Sequence, residues 1–143
     1  MKIVDVNLLI YAINSSSPHH DATREWLEHS LNAAEPVGLA WVVILAFLRL
    51  TTNPRVMPKP IPVDQATEII NSWLNLPTVR FVQPGPDHWR ILRELLGDLG
   101  TGANLTTDAH LAALAIEHGA RLYSTDNDFS RFKSLRWEDP TQG

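Results

Sequence analysis

The sequence predicts an α/β fold in which a mainly parallel sheet of four to five strands is covered by helices on both faces. Short β-prone segments alternate with helical segments along the chain, which is the pattern of parallel sheets. The first β-prone segment is apolar almost throughout, as a strand buried on both faces should be. Because the chain has 143 residues, of which 44% are hydrophobic and 20% charged, we expect a single globular domain over residues 1–143.

The predicted strands are short runs with the composition of β-structure, separated by turn-forming residues. They cover residues 2–6, 36–40, 79–82, 121–124 and 135–137. Asp5 would lie at or near the carboxyl end of the first strand. Since Thr125 to Asp128 is a turn-forming sequence, a second group of acids would follow the fourth strand.

The segments between these strands have apolar residues at helical spacing. They predict helices over residues 8–13, 21–31, 41–50, 63–74 and 87–96. A sixth helix should begin at Thr107-Asp108 and end before Gly119, which suits the positive φ that follows a helix. Four prolines between residues 53 and 62 exclude regular structure there and predict a stiff surface segment.

Some side chains are expected to face the core because of their helical spacing. Residues 41–50 are too apolar for periodicity to separate helix from strand, but their length and their leucine and alanine content favour a buried helix. The side chains predicted to point inward include Ala22, Trp26, Trp41, Trp73 and Trp89, although Trp89 would also suit a dimer face.

Composition excludes several classes of site. The chain has no cysteine, which excludes disulfides, zinc–thiolate sites and thiol nucleophiles and fits a reducing compartment. Asp5 and Asn7 interrupt the apolar N-terminus, so we expect neither a signal peptide nor a membrane span, and we expect a cytoplasmic protein. A net charge of −4 argues against indiscriminate nucleic-acid binding, unless several acids hold a cation.

Four aspartates form the candidate site: Asp5, Asp108, Asp126 and Asp128. In a parallel sheet each would lie at the carboxyl end of a strand or the amino end of a helix, on the edge where such sheets bind ligands. Converging carboxylates repel one another, so the cluster makes physical sense around a cation. Oxygen ligands favour Mg²⁺ or Mn²⁺ over zinc, and Mg²⁺ readily accepts a phosphate oxygen. This chemistry suits metal-assisted phosphodiester hydrolysis.

Three segments resemble the motif blocks of PIN-domain proteins, in particular the VapC ribonuclease toxins of type II toxin–antitoxin modules. They are IVDVN at residues 3–7, TTDAHLAALA at 106–115 and STDNDF at 124–129. The resemblance implies a parallel α/β/α sandwich and Mg²⁺-dependent endoribonuclease activity on structured RNA such as tRNA or ribosomal RNA. It also implies a homodimer and a cognate VapB-type antitoxin whose apolar segment lies in a groove near the acids.

The resemblance also implies roles for individual residues. Asp5 and Asp108 match the metal ligands, Asp126 matches a further metal-site acid, and Asp128 matches a neighbouring acid. In the mechanism that we expect, Asp5 and Asp108 hold Mg²⁺ on a phosphate oxygen while Asp126 or Asp128 orients the attacking water. The products would carry a 5′-phosphate and a 3′-hydroxyl. Asn7 and Thr125 match small polar positions beside the ligands, and His110 is expected to pack or to face solvent.

The sequence departs from the family pattern in the third helix. The family usually has a glutamate in a Glu-Leu-x-Arg context, where this chain has Ala46 three residues before Arg49. No acid occurs between Glu35 and Asp64, so a small shift in register cannot replace the glutamate. Either the four aspartates suffice, which we favour because waters can complete the coordination of Mg²⁺, or the protein is a weak or inactive nuclease.

The rival interpretation is a non-catalytic module that binds RNA or a protein partner. Arg49 would pair with RNA or with an acid of the site.

Overall fold

A computed structural model of the protein describes residues 1–142, in which five strands form one sheet in the order β3-β2-β1-β4-β5. All four neighbouring pairs are parallel. The strands are β1 Lys2–Val4, β2 Val37–Ala40, β3 Val79–Val82, β4 Arg121–Tyr123 and β5 Trp137–Glu138. All four residues of β2 are buried, as expected when both faces of a sheet are covered. The prediction of a parallel α/β architecture is confirmed.

Six helices flank the sheet. They are α1 Val6–Ile13, α2 His20–Asn32, α3 Trp41–Thr51, α4 Val63–Leu74, α5 His88–Leu99 and α6 Thr106–Glu117. Two short 3₁₀ segments, Ala103–Leu105 and Asn127–Arg131, precede α6 and follow β4. The proline-containing segment between α3 and α4 has neither helix nor strand, as predicted. Within residues 1–142, no helix has the length and hydrophobicity that crossing a membrane requires.

Local chemistry sets several helix ends. The Asp5 carboxylate accepts a hydrogen bond from the Val6 N–H at 2.7 Å, so α1 begins at Val6 and not at Leu8 as predicted. Gly100, with φ of 72°, ends α5 three residues later than the sequence predicts. Gly119, with φ of 62°, follows α6 in the position expected for it, because a side chain would strain this left-handed conformation.

The last strand completes the sheet as predicted but with shifted bounds, and three side chains predicted to face inward are exposed. β5 covers Trp137–Glu138 and not residues 135–137. Ala22 is exposed, because α2 buries the face that contains Thr23, Leu27 and Ser30. Trp41 is 56% exposed and Trp89 is 68% exposed. Helical spacing groups side chains on one face, but packing decides which face meets the sheet.

Candidate functional site

The carboxyl ends of β1 and β4 lie side by side, and this brings the first and last acidic segments together. Val4 pairs with Tyr123 in the parallel register, so the next residues, Asp5 and Ser124, are neighbours. The Asp5 N–H donates to the Tyr123 carbonyl at 3.0 Å. The strand order therefore joins positions that are more than a hundred residues apart in the chain.

Ser124 connects the polar groups at this junction. Its hydroxyl is fully buried, donates to Asp5 Oδ2 at 2.7 Å and accepts from Asn7 Nδ2 at 3.0 Å. The same oxygen accepts the Asp126 N–H at 3.0 Å. A buried hydroxyl with these partners fixes the orientation of two chain segments at once. The sequence predicts Ser124 only as the last residue of a strand, and the signal for its further role is a small polar residue between a buried strand and two acids.

Asp5 is partly buried and hydrogen-bonded on both carboxylate oxygens. Oδ1 caps α1 through the Val6 N–H, and Oδ2 accepts from Ser124 and, at 3.4 Å, from Asn7. Burial raises the pKa of Asp5 above its usual range, the two hydrogen bonds from Ser124 and Val6 oppose that change, and the charge of Asp126 adds to it. The hydrogen bonds hold the side chain in one orientation at the sheet edge.

Asp126 and Asp128 occupy the turn after β4. The Asp126 carboxylate accepts the Asp128 N–H at 2.9 Å and so begins the 3₁₀ segment. The Asn7 side-chain oxygen accepts the Thr125 N–H at 3.5 Å, which ties the same turn to α1. The Asp126 carboxylate and the Asp128 backbone are therefore fixed by local hydrogen bonds.

Asp108 lies in the first turn of α6, and its ionisation is unfavourable where it stands. Burial raises the pKa of this carboxyl to about 6, and the charges of Asp126, Asp5 and Asp128 contribute in that order. A carboxylate in the first turn is favoured by the helix dipole. The raised pKa means that burial and the other three acids outweigh that benefit. Each of the four predicted acids thus belongs to one electrostatic group.

The carboxylates of Asp108, Asp126 and Asp128 form the tightest part of this group. One oxygen from each lies within 4.8 Å of the others. Oxygens on opposite sides of a magnesium ion are about 4.2 Å apart, so this spacing fits a shared divalent cation. Asp5 is not one of the three, although its charge raises the pKa of Asp108.

Positive charge around these three carboxylates is sparse. Arg131 Nε lies 3.5 Å from Asp128 Oδ1, with the two side chains 59% and 48% exposed. An ion pair that exposed to solvent contributes little. Within residues 1–142, Asp108 and Asp126 have no ion pair, so their repulsion is left uncompensated by the protein.

A pocket of about 290 Å³ adjoins Asp5 and Asp108 on the α3 side. Ala46 and Arg49 of α3 line it together with Thr107 of α6. The position at which the motif comparison expects a glutamate therefore faces the site, and an alanine methyl group stands there. Arg49 is exposed and brings a positive charge to the same pocket.

His110 lies two residues after Asp108 but faces α5. Its Nδ1 is 2.8 Å from Nε2 of His88, and burial followed by the charge of His88 lowers the pKa of His110. His88 Nδ1 lies 4.0 Å from Glu117 Oε1. The expectation that His110 is a packing residue fits this placement.

Comparisons with known proteins agree with the fold and identify the family. A family model described as the PIN domain matches residues 2–135. Ribonuclease VapC37 of Mycobacterium tuberculosis is 48% identical over 140 residues, which are 98% of this chain and 97% of that protein. Ribonuclease VapC33 of the same species is 40% identical over 140 residues, covering 98% of each chain. The crystal structure of VapBC2 from Rickettsia felis, bound to a promoter DNA fragment, aligns with a TM-score of 0.71 at 19% identity. That alignment covers 96% of this chain and 97% of the other.

Proposed function

This chain belongs to the PIN-domain family, and on that premise we propose that it is a single-domain, divalent-metal-dependent endoribonuclease that cleaves structured RNA such as tRNA or ribosomal RNA. Relatives named as VapC ribonucleases match nearly its whole length, which supports assignment to that class of enzyme. The observation that carries the proposal is the convergence of four carboxylates from β1, α6 and the turn after β4.

The residues at this site suit a hard divalent cation. The donors are carboxylate oxygens at a compatible spacing, and burial together with the acidic neighbours raises the pKa of Asp108 to about 6. The spacing belongs to Asp108, Asp126 and Asp128, whereas Asp5 is linked to Asp108 through its charge. On binding Mg²⁺, or Mn²⁺ as a substitute, Asp5 would join Asp108 and Asp126 as a ligand, and Asp128 would lie beside them. When bound, the cation would neutralise phosphate charge and help to ionise a water molecule.

The protein's own groups would position the reactants. Ser124 and Val6 hold the Asp5 carboxylate in one orientation, and Asp126 holds Asp128 through its backbone N–H. Asp126 or Asp128 would accept a proton from the attacking water and align it with the phosphorus. The water oxygen would bond to phosphorus as the bond between phosphorus and the 3′ oxygen breaks. The 3′ oxygen would stay on the upstream fragment and take a proton from solvent, so the products would carry a 5′-phosphate and a 3′-hydroxyl.

We further propose that the enzyme is the toxin of a toxin–antitoxin pair and acts in the cytoplasm as a homodimer controlled by a VapB-type antitoxin. The VapC names of the relatives and the VapBC complex with the same fold support this proposal. An apolar antitoxin segment would lie in a groove near the acids and restrict RNA access.

The proposal is tested with Asp5→Asn and Asp108→Asn. Wild-type protein, purified free of any antitoxin, should cleave total RNA with Mg²⁺ or Mn²⁺ and lose that activity in EDTA. Each variant should lose at least about a hundredfold in rate, because the amide removes a charge that the cation needs. Asp64→Asn, the same change at an exposed aspartate of α4, is the control and should cleave normally. Undiminished cleavage by either aspartate variant would show that these acids are not the ligands.

A second candidate function follows from Ala46. Because no carboxylate projects from α3 into the pocket, the chain would serve as a catalytically weak module that binds RNA or a protein partner. Binding of Mn²⁺ by the purified protein without cleavage of any RNA would favour this module.

A further inference from the structure

A second cavity lies next to the turn that contains Asp126, and it shares no lining residue with the pocket at Ala46. It measures about 480 Å³ and is lined by side chains from α1, the loop before α2, the turn after β4 and the segment after β5. Tyr11, His19, Thr125, Asn127 and Asp139 are the lining residues that matter here. The proposed nuclease mechanism uses none of them.

The cavity begins where the acidic site ends. Thr125 and Asn127 are the chain neighbours of Asp126, so one wall of the cavity is a single residue away from a proposed metal ligand. The Thr125 N–H donates a hydrogen bond to the Asn7 side-chain oxygen, and the Asn7 side-chain amide donates one to the Ser124 hydroxyl. These hydrogen bonds fix the cavity wall relative to the segment that contains Asp126, so a ligand in this cavity would lie near that proposed ligand of the metal.

Two aromatic rings form the α1 side of the cavity. The centroids of Tyr11 and His19 are 4.9 Å apart, with an interplanar angle of 42°. Neither ring is fully buried, and His20 Nδ1 lies 2.8 Å from the Tyr11 carbonyl, which joins the end of α1 to the start of α2. Partly exposed rings on a fixed backbone are a platform on which an unpaired nucleobase can stack.

The polar groups opposite the rings suit a base better than a phosphate. Of the described residues that line the cavity, none is a lysine or an arginine. The exposed Asn127 amide offers both donors and an acceptor, and no hydrogen bond of that amide occurs within residues 1–142. Asp139, which accepts from the Thr141 N–H at 2.9 Å, adds negative charge that would repel a phosphate.

We propose that this cavity is a subsite for one unpaired nucleobase of the RNA, next to the bond that is cut. The base stacks on Tyr11 beside His19, and Asn127 contacts its polar edge. The inference rests on the proposed endoribonuclease function and deepens it, because a base subsite would make cleavage depend on sequence and on an unpaired nucleotide. The substrate feature that this subsite would recognise is an unpaired nucleotide within the RNA.

The test measures RNA binding in a form of the protein that does not cut. Full-length Asp108→Asn protein is titrated against fluorescein-labelled, seven-nucleotide single-stranded RNAs, each lacking one base, and affinity is read from fluorescence anisotropy. One abasic position should weaken binding at least about fivefold, the lower range for stacking a base on an aromatic side chain. Adding Tyr11→Leu should reduce that penalty to less than about twofold, the range of independent effects.

Two further variants make the result specific. Tyr11→Phe keeps the aromatic ring and should keep the abasic penalty. Asn127→Ala removes the amide that would contact the base, at an exposed position with little risk to folding. It should reduce the difference in affinity between RNAs that differ in the base at that position. Equal abasic penalties with and without Tyr11→Leu, or no RNA binding at all, would overturn the base subsite. Failure of the nuclease proposal is seen separately, as absence of metal-dependent cleavage by wild-type protein.

Discussion

At the scale of single residues, the site is held together by uncharged partners rather than by ion pairs. Ser124 and Asn7 orient Asp5, whereas burial and then the neighbouring acids raise the pKa of Asp108 to about 6. A carboxyl group with this pKa costs the folded protein stability once it ionises. A bound divalent cation would offset this repulsion between the carboxylates.

The first residue-scale prediction concerns Asp108→Asn in metal-free buffer. The pKa of Asp108 in the folded protein, about 6, is above its ordinary value of 3.8, so its favourable contribution is present below the ordinary value and is lost as pH rises through about 6. The Asp108→Asn variant cannot ionise at this position, so it does not lose this stability as the pH rises. Above pH 7 it should unfold with a free energy about 1 kcal/mol higher than wild type, after allowance for solvent screening at a half-exposed carboxyl.

Urea denaturation at several pH values measures this difference, which should vanish below about pH 4. Addition of Mg²⁺ should raise the thermal midpoint of wild type and leave that of the variant nearly unchanged. A difference that is constant over the whole pH range would contradict the assigned pKa.

At the scale of elements, α3 places Ala46, where the family usually has a glutamate, in the pocket beside the acids. Ala46 and Arg49 are almost one helical turn apart and line the same pocket beside Asp5 and Asp108. The rest of α3 buries Val43, Ile44 and Phe47, so the pocket-facing positions are set by a well-packed helix. A longer side chain at position 46 would therefore reach toward the acids without disturbing the core.

We expect Ala46→Glu to strengthen metal-dependent cleavage. The added carboxylate would supply a further oxygen donor to the cation, and interactions that support metal ligands typically change affinity or rate by about tenfold or more. Mg²⁺ titrations of the cleavage rate measure the effect, and Ala46→Gln, of nearly equal size but uncharged, is the matched control. Equal rates in the two variants would indicate that the pocket does not face the cation.

At the scale of the whole molecule, an apolar patch lies at the free edge of the sheet. Trp41 and Leu45, each 56% exposed, are one turn apart on α3, and Phe81 of the edge strand β3 is 37% exposed. The rings of Trp41 and Phe81 contact edge to face, with centroids 4.8 Å apart. Contiguous exposed apolar side chains of this kind mark interaction surfaces.

The proposed homodimer should use this patch. Leu45→Glu would place a charge at the centre of the contact and weaken dimerisation at least about tenfold. Analytical ultracentrifugation over a micromolar concentration range measures the change, and Leu45→Met keeps an apolar side chain as the control. A Leu45→Glu protein that remains dimeric at every concentration would assign the dimer contact to another surface.

Much of the fold follows from local chemistry that a sequence displays directly. The alternation of strands and helices, the prolines between α3 and α4, and Gly119 after α6 act over a few residues, and the structure agrees with them. The errors concern Trp41, Trp89 and Ala22, whose exposure depends on neighbours far along the chain.

For the site, the sequence by itself determined which carboxylates are available and that they follow strands or begin a helix. Only the tertiary structure decided that Ser124 joins Asp5 to Asp126, and that Asp128 shares a close group of carboxylates with Asp108 and Asp126. It also decided that Tyr11 and Asn127 share a cavity beside the acids. The physical reason is that hydrogen bonds and charge interactions act through space, so their partners are set by strand order and packing and not by separation along the chain.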